Sequence, residues 1–160
     1  MLNLNNHVSD LTSASPFSAF SALTAPLIGE LIMDNASLPS TFLVDFPDFF
    51  VGLEGILGLR LRDNGIVDLN ADRLHEKLPS LFLLDVSENE LTSFDICSVR
   101  EPGNLGILTI SGNNISHYDN FDGCSNTLGS VVMHRNQLTN LSAYSLMSQS
   151  VGGSSSLYGT

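Results

Sequence analysis

The stretch "LFLLDVSENELTSF", residues 81–94, decides the fold, because it sets one asparagine among apolar residues at fixed but uneven distances. With Asn89 taken as position 0, apolar side chains stand at positions −8, −5, −3, +2 and +5, namely Leu81, Leu84, Val86, Leu91 and Phe94. The spacing predicts that these five side chains enter a core. The question it raises is why a polar amide lies between them.

The same spacing recurs around three further asparagines, so the chain contains an internal repeat. Asn64, Asn113 and Asn136 carry apolar residues at the same five positions, and the four asparagines are 25, 24 and 23 residues apart. With 42% apolar residues, chance fills the five positions about 1% of the time, or roughly 0.2 times for all the asparagines of the chain. The four copies are "ILGLRLRDNGI" (56–66), "LFLLDVSENEL" (81–91), "LGILTISGNNI" (105–115) and "LGSVVMHRNQL" (128–138).

This template and period resemble the leucine-rich repeat, whose signature is L-x-x-L-x-L-x-x-N-x-L. The resemblance covers about residues 56–141, just over half of the chain, and the period of about 23–25 residues is similar to that of typical-type repeats. It implies an α/β leucine-rich-repeat solenoid, with a parallel β-sheet on the concave face and short helical or irregular outer segments. A single coil cannot bury its apolar side alone, so neighbouring coils stack into one continuous core.

The repeat also sets the expected domain boundaries. Residues 28–147 form the repeat domain of about five coils, including a degenerate coil, "IGELIMDNASL", with Ala36 at position 0. Residues 1–27 are interpreted as a partial N-terminal repeat or cap, and the Gly/Ser-rich segment 148–160 as a flexible tail. The long gap between Ala36 and Asn64 predicts a bulged loop in "PSTFLVDFPDF" on the outer side.

A structural role is expected for the asparagines at position 0. After each strand the chain turns, which leaves backbone N–H and C=O groups that need partners. Asparagine carries both an acceptor oxygen and two donor hydrogens on a short stem. Stacked asparagines therefore satisfy the turns of adjacent coils as a ladder, whose members are Asn64, Asn89, Asn113 and Asn136.

The outward side chains of the strands are the candidate partner-binding residues, because alternate residues of a strand point to opposite faces. They are Arg60, Arg62, Leu83, Asp85, Ser87, Glu88, Ile107, Thr109, Val132, His134 and Arg135. Two interpretations stay open. Either Arg60 and Arg62 pair with Asp85 and Glu88 of the next coil and only keep the face soluble, or a mixed-charge patch with apolar anchors docks a partner protein.

The resemblance implies protein–protein recognition, because proteins of this family are mostly recognition modules. One alternative is a fragment of a secreted or cell-surface protein, favoured by the single lysine and the richness in Asn and Ser. The other is an intracellular scaffold or a regulatory subunit of an enzyme complex, favoured by an N-terminus without the pattern of a signal peptide. The compartment stays open between extracellular or cell surface for a fragment, and cytoplasmic otherwise.

Composition and motifs argue against other classes. A net charge of −11 disfavours nucleic acid, which needs an electropositive surface, and no apolar run reaches the length of about 18 residues that membrane insertion requires. No nucleophile motif, phosphate loop or metal-ligand spacing occurs, so we expect no enzyme, cofactor or metal. Cys97 and Cys124 fall on the outer side of successive coils. They are a candidate disulfide, with buried reduced thiols as the alternative.

Overall fold

The computed structural model describes residues 1–5, 28–45, 47–69, 71–94, 104–118 and 129–138. Within these ranges the chain is a parallel β-solenoid built on a six-stranded sheet and a two-stranded sheet. In chain order the strands are β1 (Leu2–Asn3), β2 (Glu30–Ile32), β3 (Gly58–Arg60), β4 (Leu83–Asp85), β5 (Ser93–Phe94), β6 (Ile107–Thr109), β7 (His117–Tyr118) and β8 (Ser130–Val132). The large sheet has the order β1-β2-β3-β4-β6-β8, and β5 pairs with β7.

Equivalent repeat positions lie side by side in the sheet, so the sequence period becomes the stacking period. Position −5 of each coil occupies the centre of its strand and pairs with position −5 of the next coil, in the series Leu31, Leu59, Leu84, Leu108 and Val131. The first four of these side chains are completely buried. A common register keeps every inward side chain in the core, since a shift by one residue would move it to the other face.

The N-terminal partial coil adds the outermost strand that the structure describes. Leu2 pairs with Leu31, and the Leu4 N–H donates to the Ile32 carbonyl oxygen over 2.8 Å. Leu2 and Leu4 pack against the core from that side. The rest of the predicted 1–27 unit, from residue 6 onward, and the predicted tail 148–160 lie outside the described residues.

The outer side of the solenoid is short-helical in the long gap between Ala36 and Asn64 and in the following coil, between Asn64 and Asn89. The helices are α1 (Phe42–Asp45), a 3₁₀ helix (Pro47–Phe50) and α2 (Ala71–Lys77). Phe49 packs edge-to-face on Phe42 and Phe50, with ring centroids 4.9 and 5.2 Å apart, and all three rings are buried. The expected bulged loop is therefore an extension of the core, because its aromatic side chains gain from leaving water.

Every complete coil turns at the residue before position 0, where the backbone enters the left-handed region. The φ angles there lie between 49° and 67°, at Asn35, Asp63, Glu88, Gly112 and Arg135. Only one of the five is glycine, although side chains make this conformation unfavourable. The contacts that follow each turn must therefore outweigh a local cost, and those contacts come from the asparagines.

Candidate recognition surface

A ladder of asparagine side chains fixes the turns that carry the outward surface. The Asn89 oxygen Oδ1 accepts the N–H groups of Asn64 and Ile66 of the preceding coil, at 3.1 and 3.0 Å. The nitrogen Nδ2 donates to the carbonyl oxygens of Leu61, Val86 and Ser87, at 2.9 to 3.1 Å. One buried side chain thus satisfies five backbone groups in two coils, which makes it costly to replace.

The other three asparagines repeat this pattern with the same roles for Oδ1 and Nδ2. Asn113 accepts from Leu91, and Asn136 accepts from Ile115, each from the coil before. Asn64 accepts from Ala36 and Leu38. Because Ala36 holds position 0 of its coil and has no amide, Asn64 is the last rung on the N-terminal side of the described ladder.

An apolar stripe crosses the outward face of the sheet. Leu83 on β4 pairs in register with Ile107 on β6, and both side chains are half-buried. Thr109 pairs with Val132 on β8, which is also half-buried. The structure therefore brings the three predicted apolar anchors onto adjacent strands of one face.

The charged groups of this face do not pair as the sequence spacing indicated. Arg60 lies in register with Asp85, yet its guanidinium forms an ion pair with Asp34 of the preceding coil, at 2.8 Å. Of the two interpretations left open by the sequence, the one that pairs Arg60 and Arg62 with Asp85 and Glu88 is not what the described residues show. Two acceptors are already used elsewhere: Asp85 accepts the Ser87 N–H at 3.0 Å, and Glu88 pairs with Arg135 two coils away.

Arg62 is left with a free guanidinium, because it has no ion pair among the residues that the structure describes. Its backbone N–H is bound, because it donates to Asp34 at 3.0 Å. Its side chain is half-exposed and can therefore contact a binding partner. A cation beside paired charges is suited to steer an acidic group of a binding partner.

Two equivalent serines differ from the expectation that position −2 is exposed. Ser87 has only 3% of its surface exposed, and its hydroxyl has no hydrogen-bond partner in the described structure. Ser111 in the next coil is also buried, but its hydroxyl lies 3.1 Å from Nδ1 of His134. Ser87 therefore does not offer the contact surface that the sequence predicted, whereas His134 stays half-exposed.

The sequence interpretation missed two exposed apolar residues beside the start of the strands. Leu57 and Phe82 stand at position −7 of adjacent coils, with 56% and 48% of their surface exposed. The Leu57 carbonyl oxygen accepts the N–H groups of both Phe82 and Leu83, so the two coils are joined at this point. A Cβ atom on Gly106 would collide with the Phe82 ring, which shows that the ring lies over this glycine.

These residues define an apolar corner, consisting of Leu57, Phe82, Leu83 and Ile107. The sequence contains a pattern that could have indicated this corner. Position −7 is a large apolar residue in the coils of Asn64 and Asn89 and a glycine in the other three coils. Exposure could not be inferred from the residue type alone. Isolated surface leucines are common, and only adjacency in consecutive coils makes the corner unusual.

One exposed carboxylate, that of Glu54, has a lowered pKa. Glu54 lies three residues before Leu57 and is exposed. Hydrogen bonds from the backbone N–H groups of Gly52 and of Glu54 itself stabilise the carboxylate and lower its pKa, with a smaller contribution from Lys77. Glu54 is therefore held in its anionic form by the backbone of its own turn.

Other candidate chemistry is not found in the described part of the chain. No group of three or more His, Cys, Asp or Glu side chains there is placed to hold a metal ion. None of the described helices is long and apolar enough to span a bilayer. Cys97 and Cys124 lie outside the described residues. Neither protein-family models nor curated proteins give a match to this sequence.

Proposed function

We propose that this chain is a protein-recognition module of the leucine-rich-repeat type, which binds another protein with the outward face of its sheet. The repeat type is supported by the period of 23 to 25 residues, by the in-register parallel strands, and by asparagines that bridge consecutive turns. Solenoids of stacked repeats present extended surfaces, on which binding depends on side chains that the stacking does not need.

The apolar corner is the observation that carries this proposal. Leu57 and Phe82 are exposed next to half-buried Leu83 and Ile107, and the fold gains little from leaving such groups in water. Aromatic residues such as phenylalanine are enriched in protein interfaces, and the buried centre of an interface is more apolar than its rim. The polar residues of the face, including Thr109 and His134, then form the rim of the interface.

The charges around the corner indicate the chemistry of the partner. Asp34 and Glu88 are each matched by an arginine, whereas Arg62, Asp63 and Asp85 have no opposite charge in contact within the described chain. A partner segment with apolar side chains and both basic and acidic groups would fit this surface.

Two biological settings fit recognition equally on the structure. A fragment of a secreted or cell-surface protein and an intracellular scaffold or regulatory subunit would use the same face. They differ in the type of partner, an extracellular protein or an enzyme subunit.

The test is affinity capture with the wild-type chain and with two variants that differ in where they remove an exposed apolar side chain. Phe82→Ser removes the aromatic ring of the apolar corner, and Val67→Ser removes an exposed side chain located after the turn, away from the strands. We expect a protein captured by wild type and by Val67→Ser, but reduced at least about tenfold by Phe82→Ser. Equal capture by all three contradicts the proposed surface.

A charge variant examines the polar part of the surface independently. Arg62→Glu reverses the charge of the free guanidinium without breaking any ion pair in the described structure. With the captured partner purified, we expect slower association and a weaker salt dependence for Arg62→Glu than for wild type. If Arg62→Glu and wild type associate at the same rate, both at low and at high salt, this arginine takes no part in recognition.

A further inference from the structure

One asparagine of the ladder, Asn64, lies in a sequence that favours spontaneous loss of its side-chain amide. Asn64 is followed by Gly65, and this is the only Asn-Gly pair in the chain. In an Asn-Gly pair the glycine nitrogen can attack the side-chain carbonyl carbon of the asparagine, because glycine has no Cβ to obstruct the approach. The other three ladder asparagines are followed by Glu90, Asn114 and Gln137, whose side chains hinder that attack.

The native contacts of Asn64 oppose this reaction. Its Nδ2 group donates to the carbonyl oxygens of Met33, Leu61 and Arg62, each at 2.9 Å. Its Oδ1 accepts the N–H groups of Ala36 and Leu38. Release of Nδ2 as ammonia therefore requires that three hydrogen bonds break, and rotation of the amide towards Gly65 requires that all five break.

Asn64 is also less enclosed than the two central asparagines of the ladder. Asn89 and Asn113 are buried, whereas Asn64, its neighbour Gly65 and Asn136 are half-exposed. The N–H of Gly65 makes no hydrogen bond within the described residues, so the attacking nitrogen is not occupied. Local openings of a fold begin where few buried contacts hold it.

We propose that Asn64 is a deamidation site gated by opening of its coil, and that its conversion prevents the ladder from closing again. In the open coil the Gly65 nitrogen bonds to Cγ of Asn64, loses its proton, and ammonia leaves from Nδ2 to give a succinimide. Water then opens the ring to aspartate or isoaspartate, without any oxidant, reductant or enzyme.

The product cannot resume the role of the asparagine. A carboxylate has no N–H to donate to Met33, Leu61 and Arg62, and it places a negative charge against their carbonyl oxygens. Isoaspartate in addition lengthens the backbone by one methylene at the turn. Opening of the coil is reversible, but opening followed by deamidation is permanent.

The experiment compares deamidation at the four ladder asparagines in the folded chain and in denaturant, at mildly alkaline pH. Peptide mapping by mass spectrometry measures conversion at each site. We expect Asn64 to react at least about tenfold faster in denaturant than in the folded chain, and faster than Asn89, Asn113 and Asn136 in denaturant. Equal rates for Asn64 in the two conditions, or equal rates for all four sites in denaturant, overturn the proposal.

Two variants test separately the two steps of the proposal, which are the opening of the coil and the attack of the Gly65 nitrogen on Asn64. Gly65→Asn keeps the left-handed turn, since asparagine tolerates positive φ and a Cβ there meets nothing closer than 3.8 Å. It should slow conversion in denaturant. Leu59→Ala weakens the core beneath the coil and should speed conversion in the folded chain. Faster conversion in Gly65→Asn, or unchanged folded-state conversion in Leu59→Ala, contradicts the mechanism.

Discussion

Glu88 and Arg135 form an ion pair across two coils of the solenoid, and they meet above Gly112 of the coil between them. All three residues occupy the position before the ladder asparagine, where φ is positive. A side chain at the middle position would fill the space through which the other two meet. The long-range ion pair and the glycine are therefore one structural unit.

The first prediction concerns Gly112→Ala. A Cβ atom there would collide with the Glu88 carboxylate, and alanine at a φ of 67° is strained. We expect a loss of about 2 kcal/mol in the free energy of unfolding. Gly29→Ala is the control, because a Cβ there meets no atom within 4 Å. Urea denaturation measures both, and equal losses would contradict the role of Gly112.

The two buried serines predict opposite responses to the same substitution. Ser87→Ala removes a hydroxyl that is buried without a partner, so stability should be unchanged or rise by up to about 1 kcal/mol. Ser111→Ala removes the contact with His134 and should cost about 1 kcal/mol. Thermal and urea denaturation compare them. A larger loss for Ser87→Ala than for Ser111→Ala would mean that the Ser87 hydroxyl has a partner.

The central rung of the ladder should be among the least replaceable polar residues. Asn89→Ala leaves five backbone groups of two coils without their partner, and we expect a loss of about 3 kcal/mol. Asn114→Ala, at an exposed position, should change stability by less than about 0.5 kcal/mol. Urea denaturation measures the free energy of unfolding of both variants, and equal values would contradict a stabilising role of the Asn89 side chain.

The ion pair of Arg60 with Asp34 should contribute little by itself. Their side chains are 33% and 17% exposed, so solvent weakens the attraction, and a double-mutant cycle should give a coupling below about 1 kcal/mol. Asp34→Ala should nevertheless cost more than Arg60→Ala, because Asp34 also accepts the Arg62 N–H. Equal costs would show that this backbone hydrogen bond adds nothing.

Glu54 predicts a small dependence of stability on pH. Its pKa is lowered in the folded chain by backbone N–H donors, so the ionised form stabilises the fold. That stability is fully present above the unfolded-state pKa of the group and is lost as the pH falls through the folded-state pKa. Glu54→Gln should lose less stability on acidification than wild type. Glu90→Gln, which removes the same charge without those hydrogen bonds, is the control, and identical pH slopes for the two variants contradict the assignment.

The stacking of the coils could be predicted from the sequence because it depends on side-chain types at fixed positions. Leu84 and Val86 are inward wherever the strand lies, and Asn89 is the residue that supplies both donors and acceptors to a turn. These requirements are local and repeat in every coil. The parallel sheet and the stacked register follow from them.

The contacts made by long side chains could not be predicted, because they depend on what the neighbouring coil leaves open. Glu88 reaches Arg135 only because Gly112 lies between them, and the Phe82 ring occupies the place above Gly106. Arg60 turns to Asp34 rather than to the carboxylate in register with it. The aromatic extension around Phe49 escaped prediction for a related reason, since the repeat template assigns no position to it.

Replacement of asparagine by Ala36 at position 0 has a mechanical consequence. Backbone hydrogen bonds of the large sheet point along the solenoid axis, so tension between the two ends loads the coil interfaces in series, and the weakest ruptures first. The Asn64 side chain reinforces the β2–β3 interface with hydrogen bonds to Ala36, Leu38 and Met33. Between β1 and β2, by contrast, Ala36 has no amide, and the side-chain link in the described structure is one bond from the Asp34 N–H to Oδ1 of Asn5. Of the described interfaces, the one between β1 and β2 should therefore break at the lowest force, so that the N-terminal strand detaches while the coils bearing the apolar corner stay intact.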